Sequence, residues 1–199
     1  VYPGTYTSSH PGHVVDTQGK LITIESTDGP SATIIDGEGV RRGLACTSGE
    51  SPETTITGLT FVNGSNPAVD FDYNGNGQSD YWETYGGGFL CANSSPQLFN
   101  CEIIGNTAVA DGGGVCSYNS GLRMFNCTIS DNSTQYGGGV YCEGGSTKLD
   151  TCTLKNNTAS IEGGAIYCWH SNDTEVVDCM ISDNAAERGA GIHQHQGLG

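Results

Sequence analysis

The sequence predicts an all-β fold, a parallel β-helix solenoid of about seven coils, with about 26 residues per coil in its second half. Two observations lead to this class. A glycine cluster recurs at a nearly constant interval, beginning at Gly86, Gly112, Gly137, Gly163 and Gly189. Each cluster is followed by a short run in which inward-facing and outward-facing residues alternate, as in a β-strand, and no helical periodicity is present. A fixed period of this length indicates one supersecondary unit that buries its apolar face only against its neighbours.

Each coil is predicted to begin with a short strand directly after its glycines. The alternation in Val140-Tyr141-Cys142 puts Val140 and Cys142 on the inward face and Tyr141 on the outward face. A second strand runs through a cysteine that has an apolar residue three positions before it: Leu98 and Cys101, Met124 and Cys127, Leu149 and Cys152, Val176 and Cys179. Strands of successive coils pair about 4.8 Å apart, so equivalent residues are expected to form columns.

The cysteines are predicted to form two columns of buried free thiols. One contains Cys101, Cys127, Cys152 and Cys179, at steps of 26, 25 and 27 residues, and the other contains Cys46, Cys91, Cys142 and Cys168. Cys116 is expected to be out of register, with Ser117 in the inward slot. Disulfides between coils are the alternative, since the coil spacing allows a bridge. Side chains that point the same way oppose that geometry, which favours small buried hydrophobes.

A column of asparagines is predicted at one coil corner. It contains Asn106, Asn132, Asn157 and Asn184, at steps of 26, 25 and 27 residues, with Asn63 as an earlier member. A buried amide in such a column bonds to the copies above and below it, and Asn tolerates the left-handed backbone of a sharp turn. N-glycosylation at Asn132-Ser133-Thr134 is the alternative, and it requires an exposed side chain.

The domain organisation is predicted to be simple. Residues 1–199 form one β-helix domain or a fragment of one, with irregular first coils in 1–64, an inserted loop in 65–85 and regular repeats in 86–199. The first half carries strand-like runs separated by turn signals such as Asp28-Gly29-Pro30. The sequence starts without Met or a signal-peptide pattern, so we expect a processed chain or an excised segment.

The inserted loop carries a calcium-loop pattern. Residues 72–83 fit D-x-[DN]-x-[DN]-G-x5-E at every constrained position, with Gly77 at the sharp turn. The predicted calcium ligands are Asp72, Asn74, Asn76, Gln78, Asp80 and Glu83. Flanking helices are absent and Ser79 replaces the usual aliphatic residue, both departures from the helical calcium-binding hand. The predicted calcium is structural, because ordering a long polar insertion costs conformational entropy. A polar surface loop without metal is the alternative.

Charge excludes some partners. The formal net charge is −15, from 22 acidic and 7 basic residues, and such a surface repels the phosphates of nucleic acid. No apolar run approaches the roughly 18 residues of a transmembrane span. The acidic surface suits calcium and an extracellular setting.

The repeats resemble those of known families. The Gly-Gly-Gly/Ala-Val/Ile and Phe-Asn-Cys…Asn runs resemble chlamydial polymorphic outer-membrane proteins and related bacterial surface proteins. The repeat pattern, together with the segments Pro3-Gly4-Thr5-Tyr6 and Ile34-Ile35-Asp36-Gly37, is similar to that of proteins in the pectin-lyase-like superfamily. The resemblance implies a right-handed parallel β-helix solenoid at the bacterial cell surface or outside the cell. It leaves activity open, because this superfamily includes lyases, glycosidases, adhesins and passive stalks.

Two classes of function therefore remain. The favoured one is a secreted or cell-surface, non-catalytic module for adhesion, display or end-to-end fibre assembly. Its partners would be a glycan or host-surface ligand and other copies, through self-association of coil ends whose strand edges need a partner. The alternative is a polysaccharide-active enzyme, either a lyase or a glycoside hydrolase.

The candidate chemical residues favour the first class. The basic residues are scattered, and none is expected to share a column with a carboxylate cluster. Arg41-Arg42 is interpreted as a charged turn rather than a substrate clamp, and Asp131 and Asp183 as solvated corner residues. The outward column Tyr141, Tyr167 and His193 would stack sugar rings or cover a neighbouring loop. His193 and His195 share a face, but two ligands make a weak metal site.

Overall fold

The chain folds into a parallel β-solenoid of about seven coils, as the sequence predicts. A computed structural model describes residues 1–10, 12–66, 84–171 and 173–195. The strands belong to four parallel sheets, and each strand inside a sheet pairs with its equivalents in the coils before and after it. A regular coil visits the sheets in the order IV, II, I and III, as defined below.

Sheets II and I flank the cysteine column of Cys101, Cys127, Cys152 and Cys179. Sheet I contains β1 (Gly4–Tyr6), β4 (Thr33–Asp36), β7 (Thr60–Val62), β11 (Glu102–Ile104), β15 (Thr128–Ser130), β19 (Thr153–Lys155) and β23 (Met180–Ser182). Sheet II contains β3 (Thr23–Glu25), β6 (Thr55–Thr57), β10 (Gln97–Phe99), β14 (Arg123–Phe125), β18 (Lys148–Asp150) and β22 (Glu175–Val177).

Sheets III and IV flank the glycine clusters. Sheet III contains β8 (Ser65–Asn66), β12 (Thr107–Ala108), β16 (Ser133–Tyr136) and β20 (Thr158–Glu162). Sheet IV contains β2 (His13–Asp16), β5 (Arg42–Cys46), β9 (Phe89–Ala92), β13 (Val115–Tyr118), β17 (Val140–Glu143), β21 (Ile166–Trp169) and β24 (Ile192–His195). Residues 65 and 66, at the start of the predicted insertion, thus belong to a sheet.

The cysteine columns are confirmed. Cys46 pairs with Cys91 and Cys142 with Cys168 across adjacent strands of sheet IV, and Ser117 takes the slot between Cys91 and Cys142. All nine cysteines are free, and all but Cys179 are buried. The thiols of the two columns pack among apolar side chains inside the coils, so they serve as small hydrophobic residues, whereas Cys116 packs on the outer side of sheet IV.

Left-handed residues turn the chain at each of the four corners. The columns are Asn93, Asn119, Gly144 and His170 after sheet IV; Gly58, Asn100, Asn126, Thr151 and Asp178 after sheet II; Asn63, Gly105, Asp131, Asn156 and Asp183 after sheet I; and Gly86, Gly112, Gly137, Gly163 and Gly189 before sheet IV. Asn, Asp and Gly dominate because they tolerate positive φ, and His170 is also of a type that adopts it. The β-branched Thr151, at φ 57°, is the unusual residue in these columns. Asp131 and Asp183 are exposed here, as predicted.

The asparagine ladder is confirmed from Asn106 to Asn184. The side-chain amides of Asn106, Asn132 and Asn157 each donate to the Oδ1 of the next asparagine at 3.0 Å. Burial of the first three removes the exposure that glycosylation at Asn132 requires. The ladder residues themselves are not left-handed; the residue before each of them is.

The assignment of Asn63 to this ladder is wrong. Pairing of Val62 with Ile104 places Gly64, and not Asn63, level with Asn106. The Gly64 backbone N–H donates to Asn106 Oδ1 at 2.7 Å, and a Cβ at Gly64 would lie only 2.6 Å from that oxygen. Asn63 is the left-handed exposed corner residue and donates to Asp36 Oδ1.

A buried carboxylate joins the first coils. Glu50 accepts hydrogen bonds from Thr17 Oγ1 at 2.6 Å, Gly19 N at 2.8 Å, Ser48 N at 2.9 Å and Ser94 Oγ at 2.7 Å. Burial pushes the pKa of Glu50 up, but these four donors outweigh burial and hold the pKa below its ordinary value.

Candidate functional site

The glycine corner before sheet IV shapes the outer surface. At Gly137, φ is 66° and a Cβ would lie 2.5 Å from the Val140 carbonyl oxygen. At Gly138, a Cβ would lie 2.6 Å from the carbonyl oxygens of both Thr158 and Gly164. Only glycine fits at these two positions of the corner, which brings the end of sheet III against the outward face of sheet IV.

Three columns of side chains meet there and form what we call the aromatic groove. The corner column precedes the glycines and contains Tyr85, Asp111, Tyr136, Glu162 and Arg188. The inner column of sheet IV contains Leu90, Cys116, Tyr141, Tyr167 and His193. The outer column of sheet IV contains Ala92, Tyr118, Glu143, Trp169 and His195.

The groove contains a continuous set of aromatic rings. The ring centroid of Tyr167 lies 5.7 Å from that of Tyr141, 5.4 Å from that of Tyr136 and 6.3 Å from that of Trp169. Tyr141 and Tyr167 are buried, whereas Tyr136 and Trp169 are only partly buried. The exposed His195 stacks on Trp169, with ring centroids 4.3 Å apart and planes at 15°.

Tyr141 therefore points outward as predicted, but it is covered. It belongs to a second apolar cluster, outside the coils, composed of Tyr85, Leu90, Ala92, Cys116, Tyr141 and Tyr167. The tyrosines of the predicted outward column pack against the corner column, so they cover a neighbouring segment of the chain. Stacking of sugar rings on this column stays a prediction.

Each buried tyrosine hydroxyl bonds to a carboxyl group. Tyr141 donates to Glu143 Oε2 at 2.8 Å, and Tyr167 and Tyr85 are hydrogen-bonded to Glu162 and Asp111 respectively. Burial, reinforced by these carboxyl groups, raises the pKa of all three phenols well above the ordinary value. The hydroxyls thus stay protonated and donate.

Arg188 places a positive charge in this row. Its Nε donates to Glu162 Oε1 at 2.6 Å, and the two residues pair across adjacent coils. Arg188 therefore shares a column with an adjacent carboxylate, Glu162. The carboxylates of this column do not form a cluster, because Tyr136 separates Asp111 from Glu162. Sequence separation of 26 residues between Arg188 and Glu162 is one repeat, which is why they stack.

Arg42 also differs from its interpretation as part of a charged turn. Its side chain is fully buried at the start of β5 and donates to the carbonyl oxygens of Gly86 at 2.8 Å and Tyr85 at 2.6 Å. Backbone carbonyls stabilise the buried guanidinium there. Arg41, in contrast, ion-pairs with Glu38 at the surface.

The aromatic groove contains a pocket of about 300 Å³. Its lining residues are Asp111, Tyr136, Tyr141, Glu162, Tyr167, Trp169 and His195. Asp111 is 8% exposed, and burial raises its pKa to about 7, partly opposed by the hydrogen bond with Tyr85. At neutral pH this carboxyl group can hold or release a proton, a property typical of functional sites.

The sequence identified only part of this site. Tyr141 and Tyr167 follow from strand alternation, whereas Asp111, Tyr136 and Glu162 were missed. The sequence signal that could have identified them is their shared position directly before a glycine cluster. They were missed because this position lies outside the alternating apolar strands. In the described ranges, no group of three or more His, Cys, Asp or Glu is placed to hold a metal, and His193 and His195 face rings instead.

All six predicted calcium ligands lie outside the described residues. They are Asp72, Asn74, Asn76, Gln78, Asp80 and Glu83, within residues 67–83. The calcium assignment therefore stays a prediction.

The fold and the repeat agree with a known family. Residues 42–198 match the model of the right-handed β-helix region, and the chain belongs to that family. No curated protein and no solved structure gives a significant match. A bilayer-spanning apolar helix is not found in the part of the chain that the structure describes.

Proposed function

We propose that this protein is a secreted or cell-surface β-helical module that binds glycans in the aromatic groove without cleaving them. The observation that carries the proposal is the pocket itself, in which tyrosine rings and Trp169 lie beside Asp111 and Glu162. Sugar rings present apolar C–H faces that pack on aromatic rings, while their hydroxyls need a few fixed polar partners.

The setting of the groove supports adhesion or display. It runs across successive coils, so a chain of sugars can follow it from one coil to the next. The acidic surface and the resemblance of the repeats to bacterial surface proteins support an extracellular or cell-surface location.

Glycoside hydrolysis is the second candidate, and one observation favours it. Asp111 and Glu162 line the same pocket, and the raised pKa of Asp111 suits a general acid. A lyase is less well supported because Arg188, the basic residue at the groove surface, is already ion-paired with Glu162.

End-to-end assembly also stays a proposal. Ile192, level with the inward Ile166, is 47% exposed on the last described strand, and Val176 and Ile181 nearby are only partly buried. A second copy docked on this coil would cover them. Light scattering of the purified protein across concentrations tests this, and a monomer at all concentrations contradicts it.

Glycan binding is tested by titration calorimetry with a panel of neutral oligosaccharides. We expect binding by the wild-type protein, a loss of about tenfold or more in Trp169→Ala, and no change in Phe125→Ala. Phe125 is the matched control, because it stacks on Phe99 with centroids 5.0 Å apart, on sheet II and outside the groove. Absence of binding to this panel and to oligomers of amino sugars contradicts the proposal, and release of new reducing ends, lost in Glu162→Gln, shows hydrolysis instead.

A further inference from the structure

The aromatic groove has more acidic than basic groups. Asp111 and Glu162 line the pocket, and Glu143 lies beside it, bonded to Tyr141. Arg188 ion-pairs with Glu162, and Arg42 lies buried beneath, with its guanidinium directed to backbone carbonyls. A ligand that carries carboxylates, such as a polyuronate, would meet repulsion there.

The aromatic rings of the groove also favour cations over anions. Faces of tyrosine and tryptophan rings carry partial negative charge and attract cations that approach them. Tyr136 and Trp169 keep part of their surface accessible next to Glu162. Aromatic faces beside carboxylates form an environment that suits an organic cation attached to an apolar ring.

Resting on the proposed glycan-binding function, we infer that the aromatic groove selects glycans whose sugars carry free ammonium groups, as in oligomers of de-N-acetylated hexosamine. The sugar rings pack on Tyr136 and Trp169, and the ammonium groups lie against the carboxylates of Glu143, Glu162 and ionised Asp111. An N-acetylated oligomer has the same ring shapes but lacks the cations.

Asp111 couples the binding of an ammonium group to the release of a proton. The groups that face it electrostatically are the hydroxyls of Tyr85, Tyr141 and Tyr167, the thiol of Cys116 and the carboxylate of Glu143. A bound ammonium favours the ionised carboxylate, so a proton leaves Asp111 on binding. Calorimetry in buffers of different ionisation enthalpy measures this release.

The test compares the glucosamine hexamer with the N-acetylglucosamine hexamer by titration calorimetry at about pH 6.5, where amino sugars are largely cationic. We expect wild-type protein to bind the glucosamine hexamer about tenfold more tightly, from cation–π and ion-pair contacts. Added salt weakens the binding of this oligomer and leaves the N-acetylated one unchanged.

Two variants assign the preference to the groove. Asp111→Asn and Glu143→Gln reduce the preference, and Asp111→Asn also abolishes the proton release. Asp131→Asn is the control: it is the same substitution at an exposed corner after sheet I, and it retains the preference.

The outcomes separate this inference from the function on which it rests. Equal affinity for the two hexamers overturns ammonium selectivity but leaves glycan binding intact. An equal loss of preference in Asp131→Asn and Asp111→Asn also overturns it, since net charge then explains the result. If the wild-type protein binds neither these hexamers nor the neutral panel, both proposals fail.

Discussion

Asn132 connects three coils through one side chain. It donates to Asn157 Oδ1 at 3.0 Å and to the Ile103 carbonyl at 2.9 Å, and its own Oδ1 accepts from the backbone and side chain of Asn106. Asparagines repeated at this spacing form hydrogen bonds with one another, so their buried polar atoms all have partners. A shift of one coil by a single residue relative to the next would break these bonds, so the ladder specifies the alignment of the coils.

Replacement of Asn132 by Ala is expected to lower the free energy of unfolding by about 3–5 kcal/mol, because it leaves several buried polar atoms without partners. Urea denaturation measures the change. Asn126→Gly is the control; it removes an exposed amide, keeps the left-handed corner and stays within about 0.5 kcal/mol of wild type. A similar loss in both variants would argue against a special role for the buried ladder.

Thr151 is expected to be a strained corner residue. Asn126 and Asp178 occupy the same corner in the neighbouring coils, whereas Thr151 is β-branched at φ 57°. Thr151→Asn should stabilise the protein by about 1 kcal/mol, seen as a higher midpoint of denaturation. Thr151→Val, which keeps the branch, should give no gain, and a gain as large as that of Asn would refute the strain.

Glu50→Gln is expected to destabilise the protein at neutral pH by about 2 kcal/mol, since charge-assisted hydrogen bonds are lost. The pKa of Glu50 is lowered in the folded state, so its contribution is present above the ordinary value of 4.5 and is lost as pH falls through the folded value. Denaturation at pH 7 and near pH 3 should therefore show a smaller difference between variant and wild type in acid. An equal difference at both pH values would exclude this linkage.

Asp111→Asn should show the opposite pH dependence. The pKa of Asp111 is raised from 3.8 to about 7 by burial, so its stabilising contribution is complete below 3.8 and is lost as pH rises through about 7. Relative to wild type, Asp111→Asn should gain stability between about pH 5 and pH 8, by about 2–3 kcal/mol. Thermal denaturation of both proteins checks this, and a flat difference contradicts it.

Calcium is expected to stabilise the protein through the predicted loop. Titration of calcium into metal-free protein should raise the melting temperature, by the equivalent of about 2.7 kcal/mol at a hundredfold excess over Kd. Asp72→Asn and Glu83→Gln should lose the effect, and Asp131→Asn should keep it. Stabilisation that persists in both loop variants would place the ion elsewhere.

Much of the fold was predictable because the repeat specifies it. Alternation within each strand and a nearly fixed step between glycines placed Cys142 and Cys168 in one column and excluded Cys116 from it. The error at Asn63 is a slip of one residue. In Asn63-Gly64 either residue suits a corner, and only strand pairing shows that Gly64 faces Asn106.

The site was less predictable because it depends on contacts between distant residues. The buried Arg42 donates to carbonyl groups that lie 43 and 44 residues further along the chain. No local sequence pattern around Arg42 indicates these partners. Asp111 and Glu162 resemble ordinary turn residues until the corner brings them against the rings of sheet IV.

Because every regular coil carries one member of each groove column, the number of repeats sets the length of the aromatic groove. Duplication of one repeat in the gene would add one coil and lengthen the groove by about 4.8 Å. Under the proposed glycan-binding function, insertion or deletion of whole repeats would then change the number of sugar units that the groove spans, without changes to the neighbouring coils.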